Sequence, residues 1–200
     1  MKRYEKYRPT GSEWIGEIPE HWEICHLRWF SKVYSGYNSK DTYGSFPLFG
    51  ANGIIGKCNN PSYKDDKIVI GRVGSSGEIN YASGVYGVSD NALVVDHNED
   101  IFTKYLFYLL KIIDFSNDIT LNAQPLLTAT NVKNKYISIP PLEEQSAIAN
   151  YLNEKTAQID TLIANKQKLI ELLKEESTAI INQAVTKGID PNVKLKPQRH

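Results

Sequence analysis

The stretch "SIPPLEEQSAIANYL", Ser138–Leu152, divides the chain into two regimes. Before it, short apolar runs alternate with turn residues, and 12 of the 13 glycines lie there. After it, no proline or glycine occurs between Leu142 and Lys187, a length that predicts a helix of roughly 70 Å at about 1.5 Å per residue. Pro141 suits a first helical turn, where its missing N–H costs nothing. Glu143 and Glu144 suit the positive end of the helix dipole. Gly188, with Pro191 beyond it, suits the stop.

Upstream, "KIVIGRV" (Lys67–Val73), "EINYA" (Glu78–Ala82) and "NALVVD" (Asn91–Asp96) read as strands between Gly, Ser and Asn turns. "FPLFGANGIIGKCNNPSY" reads as strand, turn, strand, with Asn52-Gly53 at the turn. "IFTKYLFYLLKII" (Ile101–Ile113) reads as a helix packed on a sheet. The expected fold is α+β. An irregular, mainly antiparallel domain over residues 1–140 precedes a helix over 141–188 and a tail over 189–200.

Along the long helix, Leu152, Ile159, Leu173 and Ile180 recur at d-type spacing, with Ala149, Ile163, Ile170 and Ala184 at a. Ile148, Leu162 and Leu169 widen the stripe, while Lys166 and Ser177 interrupt it. A domain of about 140 residues cannot cover so long a stripe. The expectation is an antiparallel coiled coil with a second chain, its interface carried by Leu152, Ile159, Ile163, Ile170, Leu173 and Ile180. A helix folded back on its own domain is the alternative.

Net charge is zero, with 23 basic and 23 acidic residues, which argues against a polybasic, sequence-blind nucleic-acid binder. Cys25 and Cys58 have neither disulfide nor zinc spacing and read as free thiols of a cytoplasmic protein. The start lacks an apolar leader core, and no run of 18 apolar residues exists, so no membrane role is expected.

Catalytic patterns are weak. "NNPSY" (Asn59–Tyr63) resembles the base-holding motif of amino-methyltransferases but lacks its second proline, and no βαβ unit with a Gly-rich turn accompanies it. "IGRVGSSGEI" (Ile70–Ile79) does not open a helix and lacks P-loop spacing. Its glycines fit tight turns that display Arg72, Ser75 and Ser76, and Arg is the commonest reader of guanine. Tyr37, Asn38, Lys40 and Lys57 fit a second polar and aromatic surface. The histidines show no ligand spacing, and His21 reads as a hydrogen-bonded packing residue.

"GSEWIGEIPEHWE" (Gly11–Glu23), "IVIGRVGSSG" (Ile68–Gly77) and "AQPLLTATNVKNKYISIPPLEEQSAIANYL" (Ala123–Leu152), followed by a long helix, resemble the DNA-specificity subunits of type I restriction-modification systems. The resemblance implies a target recognition domain that reads one half of a split double-stranded DNA site. It also implies a helix that serves as ruler and docking surface for methyltransferase and restriction subunits. No catalytic residue or cofactor is expected in the chain itself; S-adenosylmethionine, ATP and Mg would belong to those partners. Relatives usually carry the domain-helix pair twice, whereas this sequence carries it once and ends about where a second copy would begin. The chain therefore looks like a half-length form, natural or truncated; the apolar stripe and the single copy point to pairing as a homodimer or with another half subunit, and zero net charge points to weak DNA binding without partners. A self-sufficient DNA adenine methyltransferase and a coiled-coil adaptor without DNA recognition are the alternatives.

Overall fold

The computed structural model describes residues 4–12, 14–121 and 125–189. In chain order the strands are β1 (Tyr7–Pro9), β2 (Glu17–Pro19), β3 (Glu23–His26), β4 (Ser31–Ser35), β5 (Phe46–Gly50), β6 (Gly53–Cys58) and β7 (Lys67–Gly71). They continue with β8 (Ile79–Ala82), β9 (Gly87–Val88), β10 (Ala92–His97), β11 (Thr120–Leu121), β12 (Pro125–Leu126) and β13 (Tyr136–Ile139). The helices are α1 (Thr103–Ile112), α2 (Ala129–Lys133) and α3 (Leu142–Lys187). None of them is long and apolar enough to cross a membrane, among the described residues. The chain divides into two structural units, Met1–Tyr151 and Leu152–His200.

The first unit is organised by an antiparallel sheet in the order β4-β10-β7-β8. Successive strand residues point to opposite faces, and here both faces are buried. Val33, Ile68, Ile70, Leu93 and Val95 join a core completed by Tyr105, Leu106, Leu109 and Leu110 of α1. Val69, Val94 and Ala92 join a second core with Phe49, Tyr63, Tyr86 and Val88. Two-sided burial explains why β7 and β10 read as continuous apolar runs and not as alternation. The second core is closed by a smaller sheet, β6-β5-β9, in which β5 and β9 pair in parallel. That parallel pair is the exception to the expected antiparallel pattern. Further two-stranded pairings join β1 to β2, β11 to β12 and β13 to β3.

Several local expectations shift. The predicted helix over Ile101–Ile113 is α1, Thr103–Ile112, because Phe102 is extended at φ −75°, ψ 121°. The five-residue helix α2 was not expected. Thr128 caps it, its hydroxyl accepting from the Asn131 N–H at 3.2 Å. At the β5–β6 hairpin Gly50 pairs with Gly53, so Ala51 and Asn52 form the loop. Among the described residues none other than glycine has positive φ, and Gly53, at φ +82°, takes the left-handed position. The turn is thus closed by Gly53 alone, and Asn52 keeps ordinary backbone.

The helix stripe also begins later than expected. Ala149 is wholly buried and Ile148 packs against the same core as α1, so the first turns of α3 belong to the domain. Farther on, Ile159, Ile163, Leu173 and Ile180 are each more than half exposed, and Leu172, Ile181 and Val185 add apolar surface that the stripe did not include. Gly188 stops α3 at φ +78°, its N–H bonded to the Ala184 carbonyl at 3.1 Å. The expected tail lies outside the described residues from position 190 onward.

Candidate nucleic-acid interface

Sheet register collects the candidate loops. Ser35 pairs with Leu93, Gly71 with Ala92, and Ile70 with Ile79. The ends of β4 and β7 and the starts of β8 and β10 therefore share one edge. Segments 36–45, 72–78 and 89–91 all leave from it.

Arg72 is half-buried there. Its Nη1 donates to Ser35 Oγ at 3.0 Å and to the Asp90 carbonyl at 3.3 Å. Both bonds use one nitrogen of a five-donor fork. The loop behind it is held by backbone: the Gly71 N–H reaches Glu78 O, and the Gly77 N–H reaches Gly71 O. A Cβ on Gly71 would stand 1.9 Å from the Ser75 carbonyl and 2.5 Å from that of Ala51, so only glycine fits. Ser75 is exposed. Ser76 is a loop tie, its Oγ lying 2.9 Å from the Arg72 carbonyl and 2.7 Å from the Pro125 carbonyl.

Of the second group, Tyr37 and Asn38 line a cleft of about 620 Å³ between segment 36–45 and residues 58–62. Tyr37 stands at its lip, 71% exposed, and Tyr43 in the same segment is 91% exposed. Asn38 is the hinge pin of the cleft. Its Nδ2 donates to the Asn60 carbonyl at 2.7 Å, while its Oδ1 accepts from Ser62 Oγ and the Val88 N–H, each at 2.9 Å. Lys57 and Lys40 are both exposed. The Lys40 stem lies across Gly56, where a Cβ would meet its Cε at 2.7 Å. The structure thus places Tyr37 and Asn38 on the cleft, with Lys40 and Lys57 flanking Asp41, whose N–H bonds the Lys57 carbonyl at 2.8 Å, and sets Arg72, Ser75 and Ser76 on a separate loop where Arg72 meets Ser35.

Asn59 and Asn60 line the cleft and were not singled out as binding residues. Asn59 Nδ2 donates to Asp41 Oδ2 at 2.5 Å. The available signal was the amide pair before Pro61, which the comparison with a catalytic motif obscured. That motif's tyrosine is unavailable, since Tyr63 is buried and its ring stacks on Tyr86 with centroids 5.5 Å apart.

Both cysteines are free, and burial pushes both thiols up, opposite to the shift of an activated nucleophile. Among the described residues no three His, Cys, Asp or Glu side chains converge as a metal-ligand set. Tyr105, pushed up to about 12 by burial, bonds the Ser138 carbonyl at 3.0 Å and ties α1 to β13.

The junction at the start of α3 carries the densest polar network. The Pro141 carbonyl accepts from the N–H groups of Glu144 and Gln145 at 2.9 and 3.0 Å. Glu144 accepts from Tyr4 Oη at 2.5 Å and Trp22 Nε1 at 3.0 Å, and meets His21 Nε2 at 2.7 Å. Burial alone would push its carboxyl up; the hydrogen bonds from Tyr4, His21 and Trp22 outweigh that and hold it below the usual glutamate range. The same contact pushes the Tyr4 hydroxyl up to about 12. Gln145 is wholly buried; its Oε1 accepts from the Phe102 N–H at 2.8 Å, and its Nε2 donates to the Asp100 and Pro140 carbonyls at 3.1 and 2.9 Å.

The chain thus joins a loop-bearing α+β domain to a long helix, with polar and aromatic side chains on segments that leave one sheet edge. A family model described as the type I restriction modification DNA specificity domain matches residues 22–173, and the chain belongs to that family. It is 27% identical over 208 residues to the putative type I restriction enzyme MjaX specificity subunit of Methanocaldococcus jannaschii, covering 88% of this chain and 48% of that protein. It is 27% identical over 110 residues to the type I restriction enzyme EcoprrI specificity subunit of Escherichia coli, covering 54% of this chain and 27% of that protein. The chain spans less than half the length of these relatives.

Among solved structures, a chain from a study of complex assembly and conformational transition of the type I R-M system superposes with a TM-score of 0.74 at 18% identity. The match covers 92% of this chain and 49% of that one. The HsdS subunit from Thermoanaerobacter tengcongensis superposes at 0.63 with 19% identity, covering 92% and 48%. These likenesses establish the fold: mixed α+β with antiparallel sheets and a long C-terminal helix.

Proposed function

We propose that the chain is a DNA-recognition module of a type I restriction-modification complex and reads one half of a split double-stranded target. The observation that carries this reading is that segments 36–45 and 72–78, with Tyr37, Lys40, Arg72 and Ser75, leave one edge of a buried sheet, in a chain of the specificity family. Base edges are read by side chains presented on rigid elements, and Arg and Asn are among the commonest readers. In this reading the recognition domain is residues 1–140, and the helix over 141–188 is a spacer. The module supplies no catalytic group; methylation with S-adenosylmethionine, and cleavage with ATP and Mg, belong to methyltransferase and restriction subunits that dock on it in the cytoplasm.

The exposed residues Ile159, Ile163, Ile170, Leu173 and Ile180, with Leu152 at the start, form the seam of an antiparallel coiled coil with a second copy of the chain. A two-fold pair of readers addresses a symmetric, interrupted target. With zero net charge the chain alone holds DNA weakly, and partner subunits complete the grip.

The test is reconstitution with the cognate methyltransferase subunit, followed by mapping of methylated adenines on genomic DNA. Methylation confined to one split motif is expected; methylation without sequence preference would sink the proposal. Binding of S-adenosylmethionine by the chain alone would revive a self-sufficient methyltransferase. Sedimentation at micromolar concentration is expected to give a dimer, and a monomer would remove the homodimer.

A further inference from the structure

Two adjacent isoleucines stand on the surface where β6 leaves its turn. Ile54 is 63% exposed and Ile55 42%, although both belong to a strand. Alternation along a regular strand would send one of two neighbours inward. A β-bulge breaks that alternation: Leu48 pairs with Gly56 and Phe49 with Ile54, so Ile55 is the extra residue. Ile55 lies on Gly50, where a Cβ would stand 2.7 Å from its Cγ2. The missing side chain of Gly50 is thus the seat that holds Ile55. β9 pairs with Leu48 and Phe49, and beyond Phe49 the β5–β6 hairpin is two-stranded among the described residues.

The turn of this hairpin reaches the sheet edge that carries the Arg72 loop. A Cβ on Gly71 would stand 2.5 Å from the Ala51 carbonyl, and one on Gly53 would stand 3.4 Å from Asn80 Oδ1. Gly71 and Asn80 stand just before and just after segment 72–78. From Phe46 to Cys58 the hairpin contains no acidic residue. Its outer strand adds the exposed Lys57, and the stem of Lys40 lies across Gly56. A bulge and a lysine on an outer strand oppose the addition of a further strand, which disfavours a protein partner pairing its backbone there. An apolar pair beside two lysines and the Arg72 loop fits a nucleic-acid groove instead. The major groove admits a two-stranded ribbon, and thymine presents a methyl group in it.

We infer that Ile54, supported by Ile55, is a specificity-determining residue that reads thymine through its C5-methyl group in the major groove. The inference rests on the proposed reading of double-stranded DNA and deepens it by naming a base. Lys40 and Lys57 meet phosphates beside the contact and fix the register of the ribbon, since phosphate contacts position and base contacts specify. Ile54 then separates thymine from cytosine, which offers an amino donor and no methyl group at that place. Covering one methyl group is worth about fourfold in affinity. The bulge and the Gly50 seat hold the apolar pair in place before DNA arrives, so little ordering cost is set against that gain.

The experiment measures binding of the reconstituted methyltransferase complex, with the full chain, to duplexes carrying its mapped target. Single thymines are replaced by uracil, which removes one methyl group and no hydrogen-bonding group. At one position or more, uracil is expected to weaken wild-type binding about fourfold. With Ile54→Ala the thymine and uracil duplexes are expected to bind alike at that position, with preferences elsewhere unchanged. Ile54→Val keeps an apolar surface and is expected to keep a preference for thymine. A target at which no uracil replacement matters overturns the inference and leaves the proposed function standing. So does an Ile54→Ala complex that retains the full preference for thymine, or one weakened equally on both duplexes, as a structural role would give. Loss of association between the Ile54→Ala chain and the methyltransferase subunit without DNA would assign the patch to a protein contact and overturn it too. A wild-type complex without sequence preference would instead remove the proposed function, and this inference with it.

Discussion

α1 and the distal part of α3 are built from the same apolar residue types, with opposite outcomes. In its ten residues α1 buries Tyr105, Leu106, Leu109 and Leu110. Of the 46 residues of α3 only Gln145 and Ala149 are buried, both in its first turns. The difference teaches that periodicity reports a demand for a partner and is silent on where the partner resides. In α1 the demand is met by the central sheet. In α3 beyond Tyr151 apolar side chains stay exposed, Ile159, Ile163 and Ile180 among them.

Substitutions can sharpen or break this contrast. Leu110→Ala opens a cavity in the larger core and is expected to lower unfolding free energy by about 3 kcal/mol. Ile170→Ala at matched helical context is expected to stay within about 0.5 kcal/mol for the monomer. Equal losses in urea titrations followed by circular dichroism would abolish the distinction. The next largest effect is on association. Ile163→Lys combined with Ile170→Lys places charge in the proposed seam and is expected to weaken pairing about a hundredfold, about 2.7 kcal/mol. Sedimentation equilibrium reads it, and an unchanged dimer would place the interface elsewhere.

Arg72→Ala is expected to cost about 2 kcal/mol of specific DNA binding, together with relaxed preference at one base pair. Competition binding with single-base variants checks it; a uniform loss across sequences would assign Arg72 to a phosphate. The smallest effect is acid-linked. Glu144 is held below its ordinary range in the folded chain, so its contribution is fully present above the unfolded glutamate value of about 4.3. It is lost as pH falls through the lower folded value. Glu144→Gln should flatten the acid limb of a stability-versus-pH curve, and an unaltered limb would show that the three donors do not favour the charged carboxylate.

Much of this fold is legible in residue pattern because local and tertiary demands agree. The turn glycines, the Leu142–Lys187 run and the apolar patches of Lys67–Val73 and Asn91–Asp96 each specify one element. Pairing order is not legible, because strands as short as Gly87–Val88 carry too few side chains to define a partner, and the parallel β5–β9 contact follows only from the closed second core. Ala149 illustrates a different limit: it fits the heptad seam by spacing, yet it is buried in the domain because the core reaches that far up α3. At the sheet edge, residue type indicated Arg72 and Tyr37. It could not indicate that Ser76 and Asn38 direct their polar atoms inward to backbone, since that depends on Pro125, Asn60 and Val88, which lie 22 to 50 residues away. The roles of Glu144 and Gln145 were hidden for the same reason: their partners are distant in sequence.

The central sheet, covered on both faces by separate cores, has a consequence for change over time. Its strands cannot be altered without disturbing one core or the other, whereas the segments at its rim contribute little to either. Doubling the length of such a segment costs only about 0.6 kcal/mol in closure entropy. The frame is therefore conservative while its rim is cheap to rewrite, so new preferences can arise by exchange of segments 36–45 and 72–78 without re-solving the folding problem. Gly36, Gly44 and Gly71 limit this freedom, because backbone crowds each of them: the carbonyls of Val88 and Ser89 at Gly36, Cys58 at Gly44, and the carbonyls of Ser75 and Ala51 at Gly71. A rewritten rim has to keep glycine at those positions, whatever else it replaces.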